Sequence, residues 1–245
     1  MTNGEPTAIL FDLWGTLIAP GMDRRDAVSR LMARDLGVDA AAFVAVVPAS
    51  HAERFLGATG SLVETLRTLA RRCGGDPTDD RLARAAARRL AMTRELLVAD
   101  DETLAVLDEL RGRGLVLGLV TDSSIETPTA WPDGPLAVRF GATAFSCLEG
   151  VRKPRPEIYL ACTRRLGVEP RDCLYVGDGD SRELSGAASL GMTALRFTGF
   201  SGPDGVHYDG DADFDGPEIA RLRDLLDVVD GRLGSVISAG RGTGE

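Results

Sequence analysis

Three features of the sequence predict an α/β protein: a doubly wound, Rossmann-like parallel sheet with an all-helical domain inserted into it. Short apolar runs recur at 8–11, 115–120, 173–176 and 193–196, and the first three pass directly into polar tips at Asp12, Thr121-Asp122 and Gly177-Asp178. Helical stretches separate the later runs, the alternation that parallel strands with right-handed crossovers require. Between the first and second runs, Asp23 to Asp100 shows helical spacing and no convincing strand. A chain of 245 residues, 44% hydrophobic, is long enough for a sheet core plus such an insert.

Ala8-Ile9-Leu10-Phe11 is apolar throughout and reads as a buried strand that carries Asp12 to its C-terminal tip. In the insert, Leu31, Leu36, Phe43, Val46, Leu62, Leu66 and Leu69 fall at helical intervals, and 81–97 is rich in the strong helix formers Ala, Arg and Leu. Asp39, Ser61 and Thr78 stand where helix N-caps belong. The Ala/Arg run at 81–94 is expected to be a solvated face, with Arg54 and Arg94 as solvent-facing helix arginines. These boundaries assign 1–18 and 100–230 to the core and 19–99 to the insert.

The core resumes with a helix over 101–113, placing Leu104, Leu107 and Leu110 on one face, and Gly114 ends it. The strand 115–120 follows. Several prolines and glycines make 124–141 a long loop with at most one helical turn. Residues 144–146 read as a short strand and 155–166 as a helix, with Pro154 and Pro156 suited to its first turn. After the strand 173–176, a helix at 182–190, a last strand at 193–196 and a closing helix at 217–230 complete the core. His207 and the acidic loop 209–215 read as surface, and the Gly/Ser-rich tail 231–245 as disordered.

The charge balance, 28 Lys+Arg against 37 Asp+Glu, argues against a nucleic-acid or anionic-membrane partner. A small anionic substrate stays compatible with it, because one site can be cationic on an acidic protein. Cys73, Cys147, Cys162 and Cys173 lack metal-type spacing and read as reduced thiols. No apolar stretch approaches the roughly 20 residues of a membrane span. No basic-then-apolar leader opens the sequence. The expectation is a cytoplasmic monomer or homodimer acting on a small molecule.

In a parallel sheet the polar tips share one edge. A lone buried carboxylate costs several kcal/mol or more. Two neighbouring ones call for a cation. Mg2+ commonly takes one or two carboxylates plus substrate phosphate, and Lys153 and Thr121 can hold the remaining phosphoryl oxygens. A carboxyl of ordinary pKa, about 4, is ionised at neutral pH and can attack as a nucleophile.

These segments resemble the haloacid dehalogenase-like hydrolase superfamily. Its first motif, Asp-x-Asp-x-Thr after a strand, is matched by Asp12-Leu13-Trp14-Gly15-Thr16, and its second by Thr121. Its third is matched by Lys153 in Arg152-Lys153-Pro154, and its fourth by Gly177-Asp178-Gly179-Asp180-Ser181-Arg182-Glu183. The resemblance spans about 8–196, and the insert is similar to the first class of helical cap. It implies that Asp12 forms a covalent intermediate, Thr121 bonds the transferring group and Lys153 neutralises Asp12 and substrate. It further implies that Asp178, Asp12 and the backbone carbonyl of Trp14 hold Mg2+. Glu183 supports the metal or Lys153, with Asp180 as a neighbouring candidate. Thr16, Asp122, Trp14, His51 and Arg54 are the remaining candidate substrate contacts.

One position departs from the pattern. Trp14 stands where phosphatases of this group carry a second aspartate, and indole cannot exchange a proton near neutral pH. That help is worth roughly 10²–10⁴ in rate. His51 is the best substitute by chemistry, with Asp180 and water as others. The 2-haloacid dehalogenase branch also lacks this aspartate, expels halide without a proton and dispenses with metal, but it lacks the motif-four aspartate retained here as Asp178. The phosphonatase branch needs a lysine in the cap, and 20–99 contains none. Three readings follow: a Mg2+-dependent phosphatase of a small metabolite, a metal-free dehalogenase, and a catalytically silent ligand-binding protein.

Overall fold

A computed structural model describes residues 6–200 and 210–231. His207 and the tail from 232 onward lie outside the described residues. The strand β1 (Ala8–Phe11) is buried at every position. Its side chains alternate, Ile9 and Phe11 entering one hydrophobic cluster and Ala8 and Leu10 another, so both faces of the sheet are covered.

Five helices follow: α1 (Met22–Leu36), α2 (Ala40–Ala49), α3 (His51–Phe55), α4 (Leu62–Arg72) and α5 (Asp79–Leu96). They enclose their own apolar cluster, including Val28, Met32, Leu36, Phe43, Leu66, Leu69, Leu82 and Met92. Asp39 caps α2 by accepting from the Ala42 amide at 2.8 Å, and Ser61 and Glu64 form a reciprocal capping box on α4. Thr78 stands at the N-cap of α5 with extended backbone, but its side chain makes no capping bond. By Leu97 and Ala99 the chain has rejoined the cluster under the sheet.

The core then runs α6 (Asp101–Gly112), β2 (Val116–Thr121), α7 (Glu126–Ala130), β3 (Ala142–Phe145), α8 (Ser146–Glu149), α9 (Pro156–Leu166) and β4 (Cys173–Gly177). It ends with α10 (Glu183–Ser189), β5 (Thr193–Phe197), β6 (Glu218–Ile219) and α11 (Leu225–Val229). The six strands are parallel in the order β3-β2-β1-β4-β5-β6. Phe11 pairs with Leu119 on one side and Val176 on the other, so the tips at Asp12, Thr121 and Asp178 stand at nearly one level. That alignment gathers the polar residues at one edge.

The local structure departs from expectation at several points, among them Asp211 of the loop read as surface, which is buried and accepts from the Ser185 amide at 2.7 Å. The closing helix over 217–230 is split, because Ile219 pairs with Phe197 and extends the sheet before a 3₁₀ turn leads into α11. The loop 124–141 holds α7 and two 3₁₀ turns, seating Trp131 in the core. Ser146 begins α8 instead of ending β3. Finally, Arg54 and Arg89 are buried, at 3% and 5% exposure, while Arg94 faces solvent. Among the described residues no helix is long and apolar enough to cross a membrane.

Candidate active site

The turn after β1 is tight, with the amides of Leu17 and Ile18 donating to the Leu13 carbonyl at 3.0 and 3.1 Å. Gly15 makes it possible. Its φ is +85°, and a Cβ there would overlap the Asp178 carboxylate. Asp12, 4% exposed, accepts from Lys153 Nζ at 2.6 Å on Oδ1 and from Thr16 Oγ1 at 3.2 Å on Oδ2. Lys153 Nζ donates also to Glu183 Oε2 at 2.5 Å. Glu183 further accepts from Tyr175 OH at 2.7 Å and from the Gly179 amide at 3.0 Å. Oxygens of Asp12, Asp178 and Glu183 lie within 4.8 Å of one another.

Two carboxylates, Asp12 and Glu183, therefore share one ammonium, and Asp178 stands beside them. Burial raises Asp12 to about 7, and Glu183 adds to the rise against the pull of Lys153. The carboxyl is therefore not an ordinary one, although the Lys153 ammonium favours its ionised form. Asp178 rises to about 6 through burial and then Asp12, and Glu183 to about 7 through burial and then Asp178, again against Lys153. Burial opposes the charge on Lys153, yet Asp12, Glu183 and Asp122 outweigh it and hold the ammonium well above its usual range. Such an excess of negative charge suits a cation, and an all-oxygen donor set suits Mg2+.

Thr121 is fully buried at the tip of β2, and its Oγ1 has no hydrogen-bond partner among the described residues. An orphaned hydroxyl costs about 1–3 kcal/mol, which an incoming phosphoryl oxygen can recover. Thr121 is not among the residues that line the cavity holding Asp12; Asp122 is, but its carboxylate is used to tie down the lysine loop, accepting from the Lys153 amide at 3.1 Å and Arg152 Nε at 3.0 Å. Beyond Asp178 the backbone is strained, with Ser181 and Arg182 at φ +56° and +52°. The cavity holds about 130 Å³, and Asp12, Lys153, Asp178, Trp14, Arg25 and His51 are among the residues that line it.

The family profile of haloacid dehalogenase-like hydrolases matches residues 6–191. The chain belongs to this family. It is a hydrolase. Glyceraldehyde 3-phosphate phosphatase of Methanopyrus kandleri is 33% identical over 167 residues, 66% of this chain and 69% of the relative. Phosphoglycolate phosphatase of Escherichia coli is 28% identical over 220 residues, 76% of this chain and 80% of the relative. The crystal structure of a HAD phosphatase from Thermococcus onnurineus shares the fold, with a TM-score of 0.63 at 24% identity over 92% of this chain and 98% of that one.

The helical insert of this haloacid dehalogenase-like hydrolase is joined to its core by a buried ion network that sequence reasoning missed. Arg89 of α5 donates to Glu126 Oε1 at 2.9 Å through Nε and at 2.5 Å through Nη2. Ser124 Oγ donates to the same oxygen at 2.6 Å and accepts from Arg54 Nη1 at 2.9 Å. Arg54 also reaches Ser50 Oγ and the Val47 carbonyl, both at 2.9 Å. It thus spans insert and core, which corrects both the solvent-facing reading and the substrate-contact reading. No sequence signal marks Glu126, which lies in a stretch read as loop.

His51 does reach the cavity, stacked on Phe55 at 4.9 Å. Burial first, then Arg54, Arg89, Arg25 and Arg152, lower it to about 4, so its imidazole is neutral at pH 7. Trp14 lines the cavity beneath the Arg25 guanidinium, which lies 4.1 Å from the ring centroid. Arg25 was not singled out in the sequence, because nothing in its spacing ties it to Trp14.

Proposed function

We propose that this protein is a Mg2+-dependent phosphatase of a small phosphorylated metabolite, working through an aspartyl-phosphate on Asp12, in the cytosol. The observation that carries the reading is the convergence of Asp12, Asp178 and Glu183, the first and last of them bonded to Lys153. The phosphatase names of the relatives support it, and four free cysteines suit a reducing compartment.

Asp12 attacks the phosphorus, the ester P–O bond breaks, and the departing alkoxide takes a proton from water in the cavity. A second water then attacks the phosphorus of the aspartyl-phosphate, releasing inorganic phosphate and restoring Asp12. Lys153 holds Asp12 in place and stabilises the equatorial oxygens, and Thr121 Oγ1 donates to one of them. Asp12, Asp178 and the Trp14 carbonyl would hold Mg2+, which supplies charge neutralisation and alignment of the phosphoryl group. Glu183, saturated by Lys153, Tyr175 and Gly179, positions the lysine. The helical insert acts as the cap that excludes bulk water.

Trp14 favours a second reading, a metal-free 2-haloacid dehalogenase; retention of Asp178 beside Asp12 weighs against it. Phosphate and halide release from panels of monoesters and 2-haloacids, with Mg2+ and with EDTA, separates the two. The expected result is phosphate release that needs Mg2+ and falls to background in Asp12→Asn. Halide release in EDTA would reverse the choice, and silence in both panels would leave the ligand-binding reading.

A further inference from the structure

We propose that Asp211 is a positioning residue for the cation site, holding the turn that brings the Asp178 carboxylate to Asp12. The inference rests on the phosphatase reading and adds a residue to its metal site. Asp211 lies in the acidic loop that the sequence marks as surface, yet it is 3% exposed. Its carboxylate accepts from the Ser185 amide at 2.7 Å and from Ser185 Oγ, 26 residues away in the chain. Ser185 stands in the first turn of α10, where backbone amides have no partner inside the helix. Arg182 holds the N-cap position without a side-chain capping bond, and a guanidinium has no acceptor to offer. The capping carboxylate of α10 therefore comes from Asp211, at the positive end of the helix.

The backbone of the same residue is coupled to Asp178. The Asp211 amide donates to the Gly179 carbonyl at 2.8 Å, and the Asp180 amide donates to Asp178 Oδ1 at 2.9 Å. That carbonyl and that amide belong to one peptide unit, which is planar and stiff. A rotation of the unit moves both bonds together, so Asp211 fixes the plane from which Asp178 is oriented. Arg196 of β5 closes the clamp. Its Nη2 donates to the carbonyls of Asp211 at 2.6 Å and Phe214 at 3.3 Å, and its guanidinium lies 5.5 Å from the Phe214 ring centroid. The turn needs such support. Gly179, Ser181 and Arg182 all have positive φ, and the two non-glycine residues keep that conformation only where the surroundings over-determine it. On the inner side Glu183 accepts from the Gly179 amide at 3.0 Å, and on the outer side Asp211 donates to the Gly179 carbonyl. Neither Asp211 nor Ser185 lines the cavity, so their effect on a cation passes through Asp178.

The test is calorimetric titration of the full chain with MgCl2, alongside Tm in EDTA, for wild type, Asp211→Ala, Asp211→Asn, Ser185→Ala and Asp178→Asn. Asp211→Ala should weaken Mg2+ binding by roughly 10- to 100-fold, the range for partners that orient a metal ligand. Asp211→Asn keeps an oxygen for the Ser185 amide and can donate to Ser185 Oγ, so it should restore most of the affinity. Ser185→Ala removes one of the two bonds and should weaken binding by less than Asp211→Ala does. A residue that only stabilised the fold would lower Tm in EDTA and leave the Mg2+ dissociation constant unchanged, and that result in Asp211→Ala overturns the proposal. If Asp211→Ala does not fold, Ser185→Ala decides, and a dissociation constant equal to that of wild type overturns it. Wild-type affinity that is absent, or that Asp178→Asn leaves intact, fails the metal site of the phosphatase reading and this inference with it. Affinity that Asp178→Asn removes and Asp211→Ala keeps fails the inference alone.

Discussion

At the scale of single residues, the proposed reaction turns on Thr121 and Trp14. Among the described residues the Thr121 hydroxyl is buried without a partner, so in the proposed reaction its bond would form only with the phosphoryl group. Thr121→Val should lower kcat by roughly 10²–10³, the cost of one oxyanion donor, with KM changed much less. Steady-state kinetics on a monoester substrate checks it. Trp14 leaves the departing group without the usual carboxylic acid after the nucleophile, and a neutral His51 does not take over protonation at pH 7, while Asp180 also lines the cavity. Trp14→Asp should therefore raise kcat on alkyl phosphates, by up to roughly 10² of the 10²–10⁴ that general acid catalysis supplies. The gain should nearly vanish with p-nitrophenyl phosphate, whose leaving group needs no proton. A uniform change across both ester types would refute the protonation argument.

At the scale of elements, the junction between the helical insert and the sheet core depends on Glu126. Its carboxylate is 3% exposed at the start of α7, and it joins α5 and α3 through Arg89 and Arg54. Burial alone would raise its pKa, but the two arginines and Ser124 hold it far below the usual carboxylate range. Glu126→Gln leaves two buried guanidiniums short of a counter-ion and should cost about 3–5 kcal/mol in urea unfolding. The sign with pH follows from the lowered pKa. Stabilisation is complete above the unfolded carboxyl pKa, about 4.3, and is lost as pH falls below it toward the folded value. Wild type should therefore lose its advantage over Glu126→Gln between about pH 5 and pH 2. A gap that stays constant over that range would show that the pair's charge contributes nothing.

For the whole molecule, the prediction concerns cation binding. Three carboxylates brought from β1, β4 and α10 repel one another only in the folded state, so a bound cation stabilises the fold over the unfolded chain. At 100 times its dissociation constant, Mg2+ should add about 2.7 kcal/mol. In a domain of this size each kcal/mol raises Tm by about 2–4 °C. Thermal unfolding with Mg2+ and with EDTA measures the shift, and Asp178→Asn should remove most of it. An equal shift in the variant would move the cation elsewhere on this acidic surface.

Much of this was legible in the chain alone. Strand-tip residues declare themselves because a buried strand must be apolar up to the point where it meets solvent or a site. Asp12, Thr121 and Asp178 therefore stand out at the ends of their runs, and helical spacing reveals the insert. Lys153 follows no strand tip directly, so it was visible as a cation that suits the paired carboxylates, and the family resemblance gave it its role. What sequence reasoning could not supply were contacts between elements that are distant in the chain. Glu126 meeting Arg89 and Arg54, Arg25 settling on Trp14, and Asp122 turning toward the Lys153 loop leave no periodic trace. A charged side chain looks alike in sequence whether it is solvated or buried against an opposite charge. Only the packing of the helical insert onto the strand tips decides which arginines belong to water and which to the site.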